Sequence, residues 1–487
     1  MKKQKNFIKI TEDMLDEWEK AKQENPGIPF VALIDAYCGS GKTHAIQEFA
    51  EEHPDKSILM YEPRKHLLAQ AQQLMEEQKN VTVATIQSLR YIKDKTVFLD
   101  DWDILVLDEA QSCVLDAAFN RDLCGILKSI LSQDKIIIFL TGTDVNLGEF
   151  LEGYGVPYKA YKVKEKIDFL KNDTFSFIQK GFATVQVIAE KLAQNEKVLF
   201  FTGSIETVDY MLRYFEGETL AVISEYSDDY NRLCRSRKAD IRELINTKCI
   251  PDKYKLVVAT KAMDIGVSIH DDSLTTIIVD TLELATMRQM IGRKRLKEGE
   301  KIDLYVSLPN NASLSQTKRR MEELLDFYEM YTENPDAFRD KVDEKRIDAN
   351  ELVFSMGTRY KDSPNFQIDW PRLFYIRYML STTLRDPQVS AYRACVSHML
   401  GCKGIVIPAT GIKRLESLVG VKLRNKKEKM ELIAALEKLF QTPKKINELL
   451  EEWKLPYRVK DKQYADLGVD ANGKRKETNR AWVLERI

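Results

Sequence analysis

Short apolar runs alternate along most of the chain with longer segments whose apolar residues recur at helical spacing. Parallel strands need a crossover connection, usually a helix, so buried strands separated by helices are typical of parallel α/β sheets. A first series of runs comprises Phe30–Ile34, Ser57–Tyr61, Val81–Thr85, Ile104–Leu107 and Ile136–Leu140. A second series comprises Lys197–Phe201, Thr219–Ile223, Lys255–Ala259, Thr275–Asp280 and Ile302–Ser307. The sequence therefore predicts two parallel α/β domains in tandem, joined near Tyr161–Asp173.

The length of 487 residues corresponds to about three domains at roughly 150 residues each. We predict a helical N-terminal extension over 1–28, α/β domains over 29–165 and 166–310, a mostly helical accessory region over 311–410 and a small basic module over 411–487. Hydrophobic residues make up 44% and charged residues 31%, which excludes a disordered or collagen-like chain. No apolar run approaches the roughly 20 residues of a membrane span, no secretory signal opens the sequence, and the seven cysteines occur singly. We therefore expect a cytoplasmic protein without a membrane partner.

A phosphate-binding loop pattern follows the first apolar run, in the segment Ala36-Tyr37-Cys38-Gly39-Ser40-Gly41-Lys42-Thr43. Glycines let the backbone curl so that its N–H groups face an anion, while the lysine reaches the β- and γ-phosphates and the threonine hydroxyl binds Mg²⁺. The helix that follows adds its positive N-terminal end. We therefore expect ATP to be held by Gly39, Ser40, Gly41, Lys42 and Thr43, with His44 beside them.

Two adjacent carboxylates, Asp108 and Glu109, follow the apolar run Ile104–Leu107. A carboxylate at a strand end can hold Mg²⁺ through water, and its neighbour can act as general base toward the attacking water. We expect Asp108 to bind the metal together with Thr43, and Glu109 to be the base. Without a phosphate loop upstream, the same pair would indicate an exposed helix start about as often as a metal site.

These residues resemble superfamily 2 helicases and translocases of the DExH type, and the resemblance covers about 29–308. Ala36 stands where the family's own form of the loop has alanine, and Asp108-Glu109-Ala110-Gln111 is similar to the DExH box with glutamine in the last place. Other blocks resemble the family's motifs in the expected order, namely Glu62-Pro63-Arg64-Lys65, Thr85-Ile86-Gln87-Ser88, Thr141-Gly142-Thr143, Phe200-Phe201-Thr202-Gly203-Ser204, Ala259-Thr260-Lys261, Asp264-Ile265-Gly266-Val267 and Gln289-Met290-Ile291-Gly292-Arg293-Lys294-Arg295.

The resemblance implies two RecA-like domains that hydrolyse ATP with Mg²⁺ and bind single-stranded or forked nucleic acid. It implies that the catalytic residues are Lys42, Asp108, Glu109, Gln289, Arg293 and Arg295, with an arginine inserted across the cleft as a finger. Asp264 and Gly266 would contact the nucleotide, and Thr141 and Thr143 would couple hydrolysis to strand binding. Nucleic-acid contacts would come from Pro63, Arg64, Thr85, Thr202 and Thr260.

The last arginine of the final motif follows the first by two residues, in Arg293-Lys294-Arg295, whereas three is the commoner spacing. This shorter form is similar to helicases of the viral origin-binding-protein type, also seen in phage and plasmid replication proteins. It favours DNA as the partner and replication as the role, and it leaves either arginine as the finger. Alternatives are the ATPase motor of a defence or restriction complex, an RNA helicase, and an ATP-switched protein that binds an origin or a protein partner.

The C-terminal module is basic, with 19 lysines and arginines against 12 aspartates and glutamates from Gly411 onward in a chain of net charge −1. A predicted helix over Lys444–Trp453 and an Asn472-Gly473 hairpin signal beside Lys474-Arg475-Lys476 favour a winged-helix module whose wing touches phosphates. A solvated charged face is the alternative interpretation.

Two patterns in the accessory region each allow two interpretations. Cys395, His398 and Cys402 share a helix face and could bind a metal, although a buried helical cluster explains them as well. The aromatic residues within 373–378 could stack on bases, but core packing is favoured.

Overall fold

The computed structural model describes residues 8–37, 40–117, 120, 122–143, 145–163, 169–225, 227–261, 268–297, 299–343, 353–355, 366–406, 418–424, 428, 429, 432, 443–452, 457–463 and 480–486. Two parallel sheets with flanking helices follow one another along the chain, and a mostly helical region comes after them. The predicted fold class, two tandem RecA-like α/β domains followed by a helical region, is confirmed.

The first domain contains one six-stranded sheet. Its strands are β1 (Phe30–Ala36), β2 (Ile58–Glu62), β3 (Val81–Thr85), β4 (Ile104–Leu107), β5 (Ile136–Thr141) and β6 (Tyr158–Val163). Its helices are α1 (Glu12–Glu24), α2 (Lys42–Glu52), α3 (Lys65–Leu74), α4 (Lys95–Asp100), α5 (Ser112–Leu115), α6 (Leu123–Ile130) and α7 (Leu147–Gly153). The strand order is β3-β2-β4-β5-β1-β6, and every pair is parallel, so all carboxyl ends meet at one edge.

Both faces of this sheet are buried, which explains why its central strands are apolar without alternation. Val31 and Leu33 of β1 belong to one apolar cluster, and Ala32 and Ile34 belong to another on the opposite face. The second cluster includes Trp18 of α1, which is fully buried and donates its indole N–H to the Tyr161 hydroxyl at 2.8 Å. The N-terminal helix is therefore part of the first domain's core.

The second domain contains a seven-stranded sheet. Its own strands are β7 (Thr174–Gln179), β8 (Lys197–Thr202), β9 (Thr219–Val222), β10 (Leu256–Ala259), β11 (Leu274–Asp280) and β12 (Asp303–Leu308). Its helices are α8 (Phe182–Ala193), α9 (Ile205–Tyr214), α10 (Tyr230–Leu233), α11 (Lys238–Thr247) and α12 (Leu284–Ile291). All of these strands pair in parallel.

The accessory region packs on both domains. It comprises α13 (Asn311–Glu333), α14 (Pro335–Asp343), β13 (Val353–Ser355), β14 (Phe366–Ile368), α15 (Trp370–Ser381), α16 (Val389–Leu400) and β15 (Lys403–Val406). The last of these strands pairs in parallel with β7, giving the second sheet the order β15-β7-β12-β11-β8-β10-β9. Helix α15 contacts α5 and α6 of the first domain, and the Phe374 ring lies 5.4 Å from that of Phe150. Of the aromatic residues within 373–378, Tyr378 is buried and Phe374 and Tyr375 are partly buried against the same apolar cluster, which agrees with the core-packing interpretation.

The described part of the C-terminal module is a helix and a strand pair. Helix α17 (Pro443–Glu452) begins and ends one residue before the predicted helix, and β16 (Tyr457–Gln463) pairs antiparallel with β17 (Arg480–Arg486). The predicted hairpin turn, Asn472-Gly473, falls outside the described residues. Nucleic-acid binding by this module stays a prediction.

The ten predicted runs all form strands, with ends that differ from the prediction by one or two residues at most. Strands β6 and β7 of the two α/β domains were not predicted, and neither was β15, which joins the second sheet from the accessory region. Tyr158–Val163 lies at an edge of its sheet with mostly half-buried or exposed side chains, so it lacks the apolar run that marks the central strands. The joint predicted near Tyr161–Asp173 therefore begins inside a strand.

We expect Trp18→Ala to lower the free energy of unfolding of the first domain by about 3–5 kcal/mol, because it leaves a cavity in a fully buried site. Lys20→Ala on the exposed face of α1 is the matched control and should change the stability little. Scanning calorimetry measures both variants. Equal unfolding temperatures would show that α1 is not part of the first domain's cooperative core.

Candidate functional site

The phosphate loop connects β1 to α2 at the carboxyl edge of the first sheet. Gly41 takes the left-handed conformation, with φ of 82°, which glycine adopts without strain. Lys42 is the first residue of α2; its side chain is buried and donates from Nζ to the Ala36 carbonyl at 3.0 Å. Ser40 is buried beside it, whereas Cys38 and Gly39 lie outside the described residues. A lysine held at the start of a helix in this way can bind an anion.

The Thr43 hydroxyl donates to an Asp108 carboxylate oxygen at 3.1 Å. The other oxygen of Asp108 accepts from the Glu109 backbone N–H at 2.7 Å. Burial and then the neighbouring Glu109 carboxylate raise the pKa of Asp108 to about 6, and Lys42 opposes that rise. A hydroxyl and a carboxylate side by side are oxygen ligands that Mg²⁺ prefers. The predicted metal-binding pair is therefore brought together.

Glu109 adopts a left-handed backbone conformation, with φ of 47°, that is uncommon for a residue other than glycine. Its carboxylate accepts a hydrogen bond from the Gln111 side-chain amide. Burial alone would raise the pKa of Glu109, but the charges of Lys42, Arg293 and Arg295 and the bond from Gln111 together lower it. Glu109 is therefore ionised at neutral pH, as a general base must be.

A chain of hydrogen bonds runs from Glu109 to the end of β5. Gln111 bonds the Glu109 carboxylate through its amide nitrogen, and its amide oxygen accepts from the Thr141 hydroxyl at 2.7 Å. The Thr141 hydroxyl oxygen accepts from the Thr143 backbone N–H at 3.2 Å. Gln111, Thr141 and Thr143 are all buried. The two predicted coupling threonines are thus connected to the predicted base.

Arg293 and Arg295, which both belong to the second domain, lie near enough to Glu109 to lower its pKa. Arg293 is buried at 3% exposure, and its Nε donates to the Gln289 carbonyl at 3.2 Å. One terminal nitrogen of Arg293, and both side-chain polar atoms of Gln289, are buried without a hydrogen-bond partner among the described residues. Arg295 donates from Nε to the Ser268 hydroxyl at 3.1 Å. Buried donors without partners are costly, so this corner suits an anionic ligand.

Three of the predicted nucleic-acid contacts lie together at the carboxyl ends of β2 and β3. Thr85 is opposite Glu62 in the strand register, and Pro63 follows Glu62. The Gln87 amide donates to the Pro63 carbonyl at 3.2 Å, and Arg64 pairs with Asp116 at 2.7 Å.

The other two predicted contacts, Thr202 and Thr260, end strands of the second sheet. Thr260 directly follows β10 and is half-buried. Thr202 is fully buried, and its hydroxyl donates to Asp280 at 3.2 Å. The Thr202 side chain therefore forms a hydrogen bond within its own domain.

The remaining predicted nucleotide contacts are Gly39, His44, Asp264 and Gly266. Gly39, Asp264 and Gly266 lie outside the described residues. His44 is exposed on α2, and its Nδ1 is 3.1 Å from the Gln47 side-chain oxygen.

Glu62, to which no role was predicted, is the last residue of β2 and is 2% exposed. Burial, followed by the charges of Asp108 and Glu109, raises the pKa of Glu62 to about 10. One of its carboxyl oxygens has no hydrogen-bond partner among the described residues. A glutamate within an otherwise apolar strand, Ile58–Glu62, was the available signal. Glu62 is a third carboxyl group at this edge and stays protonated at neutral pH.

Among the described residues, no three His, Cys, Asp or Glu side chains are grouped so that they could hold a metal ion. Cys395 and Cys402 are free thiols and are half-buried. The described helices also include none whose length and apolar character would suit a membrane crossing.

No family model matches the chain, and no curated protein matches its sequence. Among solved structures, S. cerevisiae Dbp5 bound to RNA and ADP BeF3 is 16% identical, with 58% of this chain and 80% of that chain covered and a TM-score of 0.40. Mycobacterium smegmatis helicase Lhr bound to ssDNA and AMP-PNP is 16% identical, with 63% and 47% covered and a TM-score of 0.40. The DUF1998 helicase MrfA bound to DNA and AMPPNP is 14% identical, with 63% and 49% covered and a TM-score of 0.42. Similarity at this level assigns no function to this chain.

We expect Glu62→Gln to stabilise the protein increasingly as the pH rises from 5 to 8. The wild-type carboxyl stays protonated in the folded state but ionises in the unfolded state, so wild-type stability falls as the pH rises above the ordinary glutamate value toward about 10. Glutamine is neutral in both states and removes this loss, by up to about 1.4 kcal/mol per pH unit.

Urea denaturation in EDTA at several pH values measures the difference between variant and wild type. Glu48→Gln on the exposed face of α2 is the control and should leave the pH dependence unchanged. A difference that stays constant from pH 5 to 8 would mean that Glu62 is ionised in the folded protein.

Proposed function

We propose that the protein is an ATP- and Mg²⁺-dependent helicase or translocase of superfamily 2, DExH type, that moves along nucleic acid. The observation that carries this proposal is the convergence of four charged side chains on one cleft: Lys42, Asp108 and Glu109 from the first domain and Arg293 from the second. ATP hydrolysis needs a phosphate-binding cation, a metal-binding acid, a base and a finger arginine, and these four residues match that set.

The chain's own residues fit MgATP. The hydroxyl of Ser40, one terminal nitrogen of Arg293 and both polar atoms of the Gln289 side chain are buried without partners among the described residues, and phosphate oxygens, ribose hydroxyls or water can satisfy such groups. Thr43 and Asp108 offer neighbouring oxygen ligands for Mg²⁺. The bound metal would neutralise charge on the β- and γ-phosphates.

Each residue then has a distinct task. Lys42, at the start of α2, offsets the charge of the phosphates. Glu109, ionised and oriented by Gln111, accepts a proton from the attacking water. Arg293 places positive charge where the γ-phosphoryl oxygens gain negative charge. Its buried, incompletely satisfied guanidinium favours it over Arg295 as the finger.

Hydrolysis on this plan requires both domains, because the finger and the base come from different sheets. The strand-contact residues Pro63, Arg64 and Thr85 lie on the first domain, and Thr260 lies on the second. A strand that crosses both domains would therefore be gripped and released as the cleft closes and opens. We favour DNA as the track, and phage or plasmid replication as the role, from the Arg293-Lys294-Arg295 spacing.

We expect wild-type protein to hydrolyse ATP faster with nucleic acid and Glu109→Gln to lower kcat by about 10²–10⁴ through loss of the base. Steady-state assays without nucleic acid and with single-stranded DNA, duplex DNA or single-stranded RNA test this. Glu48→Gln is the control for the chemical change. If only RNA stimulates hydrolysis, DNA is not the track. If none of the three nucleic acids changes the ATPase rate, the protein is not a nucleic-acid motor.

We expect Arg293→Ala to lower kcat by about 10³–10⁵ and Arg295→Ala to have a smaller effect. Arg213→Ala, which removes an exposed arginine paired with Asp209, is the control and should keep the wild-type rate. If Arg295→Ala is the more damaging change in the same ATPase assay, Arg295 is the finger.

A further inference from the structure

A polar cluster lies where the strand-contact ends of the two domains approach each other. The Arg64 guanidinium pairs with the Asp116 carboxylate at 2.7 Å in the first domain. In the second, Lys261 Nζ lies 2.5 Å from Glu283 Oε2, which also accepts from the Thr286 hydroxyl at 2.6 Å. Each domain thus contributes one cation with one acid against it.

The two pairs lie close to each other across the cleft. Burial raises the pKa of Asp116, the charges of Arg64 and Lys261 oppose that rise, and Glu283 adds to it. The packing of the helices independently places Asp116 near Glu283. Asp116 follows the last residue of α5, and α5 contacts α15. Tyr375 of α15 in turn donates its hydroxyl to Glu283. Charges of alternating sign therefore run from Arg64 through Asp116 and Lys261 to Glu283.

The cations face solvent and the acids lie behind them. The side chains of Arg64 and Lys261 are each 34% exposed, whereas those of Asp116 and Glu283 are 14% and 12% exposed. An anion that enters the cleft would therefore meet the cations first. Arg64 directly follows Pro63, and Lys261 directly follows Thr260, so both cations border the path proposed for the strand.

We propose that Arg64 and Lys261 form a phosphodiester clamp that spans the two domains, and that Asp116 offsets its charge until a polynucleotide backbone enters. This inference rests on the proposed function and adds a site and a means of control to it. Asp116 is then an internal competitor of the backbone phosphate. Glu283 is a positioning residue that holds Lys261 and is fixed in turn by Tyr375.

The clamp and a purely supporting role for Asp116 predict opposite effects of Asp116→Asn on the affinity for single strands. If Asp116 competes with phosphate, Asp116→Asn frees the charge of Arg64 and strengthens binding of single strands. If Asp116 only orients Arg64 for binding, the same change weakens binding. We expect a 3–10-fold lower Kd for a fluorescein-labelled 20-nucleotide oligo(dT) without ATP, and a similar change for oligo(U), because the backbone phosphate is common to both.

Salt dependence provides a second readout. One further effective phosphate contact makes the plot of log K against log salt concentration steeper by about 0.7 for a single strand. Fluorescence anisotropy of the full-length protein at several salt concentrations measures both quantities. Asp122→Asn is the matched control, since Asp122 is an exposed acid 3.7 Å from Arg90 in the same domain, and it changes net charge equally. Its Kd should stay within about twofold of wild type.

Lys261→Gln tests the second half of the clamp and does not depend on the folding of Asp116→Asn. We expect a several-fold higher Kd, whereas Lys180→Gln, at a half-exposed lysine 2.8 Å from Asp280, should bind like wild type. Unchanged or weaker binding by folded Asp116→Asn, or equal Kd values for Lys261→Gln and Lys180→Gln, would overturn the clamp. Failure of the wild-type protein to bind either oligonucleotide would instead reject the proposed function.

Discussion

The parallel pairing of β1, β5 and β4 at the centre of the first sheet determines the geometry of the cleft. Because these three strands run in one direction, the phosphate loop, the acids after β4 and the threonines at the end of β5 all meet at one edge. The contact between Thr43 and Asp108, at 3.1 Å, joins the first two of these elements. Residues far apart in the chain thereby share one small, buried volume.

This volume holds charges in an environment that disfavours them. Three carboxyl groups, those of Glu62, Asp108 and Glu109, are brought together while Lys42 and Arg293 are buried beside them. The protein resolves the repulsion unequally: Glu62 remains protonated, the pKa of Asp108 is raised, and Glu109 is kept ionised by the cations. The left-handed backbone of Glu109 adds local strain. Burial of charge lowers stability here, while the nearby cations hold Glu109 in its ionised form.

Helix α12 connects the cleft to the end of the second domain that contains Thr260 and Lys261. Glu283, at its start, contacts Lys261 and the accessory helix α15, while Gln289 and Arg293 lie at or just beyond its other end. This eight-residue helix spans roughly 12 Å. The accessory region contacts both domains through α15, by packing on α5 and α6 and by the Tyr375–Glu283 hydrogen bond.

The sequence by itself determined the two parallel sheets, because buried parallel strands are apolar on both faces and need helical connections. It also located the phosphate loop and the acids, because their residues have a characteristic local spacing. It did not reveal edge strand β6, whose half-exposed residues lack that apolar run. Only the tertiary structure decided that the Thr202 hydroxyl bonds within its own domain, that Glu62 joins the acids, and that Arg64 and Lys261 both lie near Asp116. These features depend on which strand ends are neighbours and how deeply a side chain is buried, and neither property is encoded in the spacing of residues along the chain.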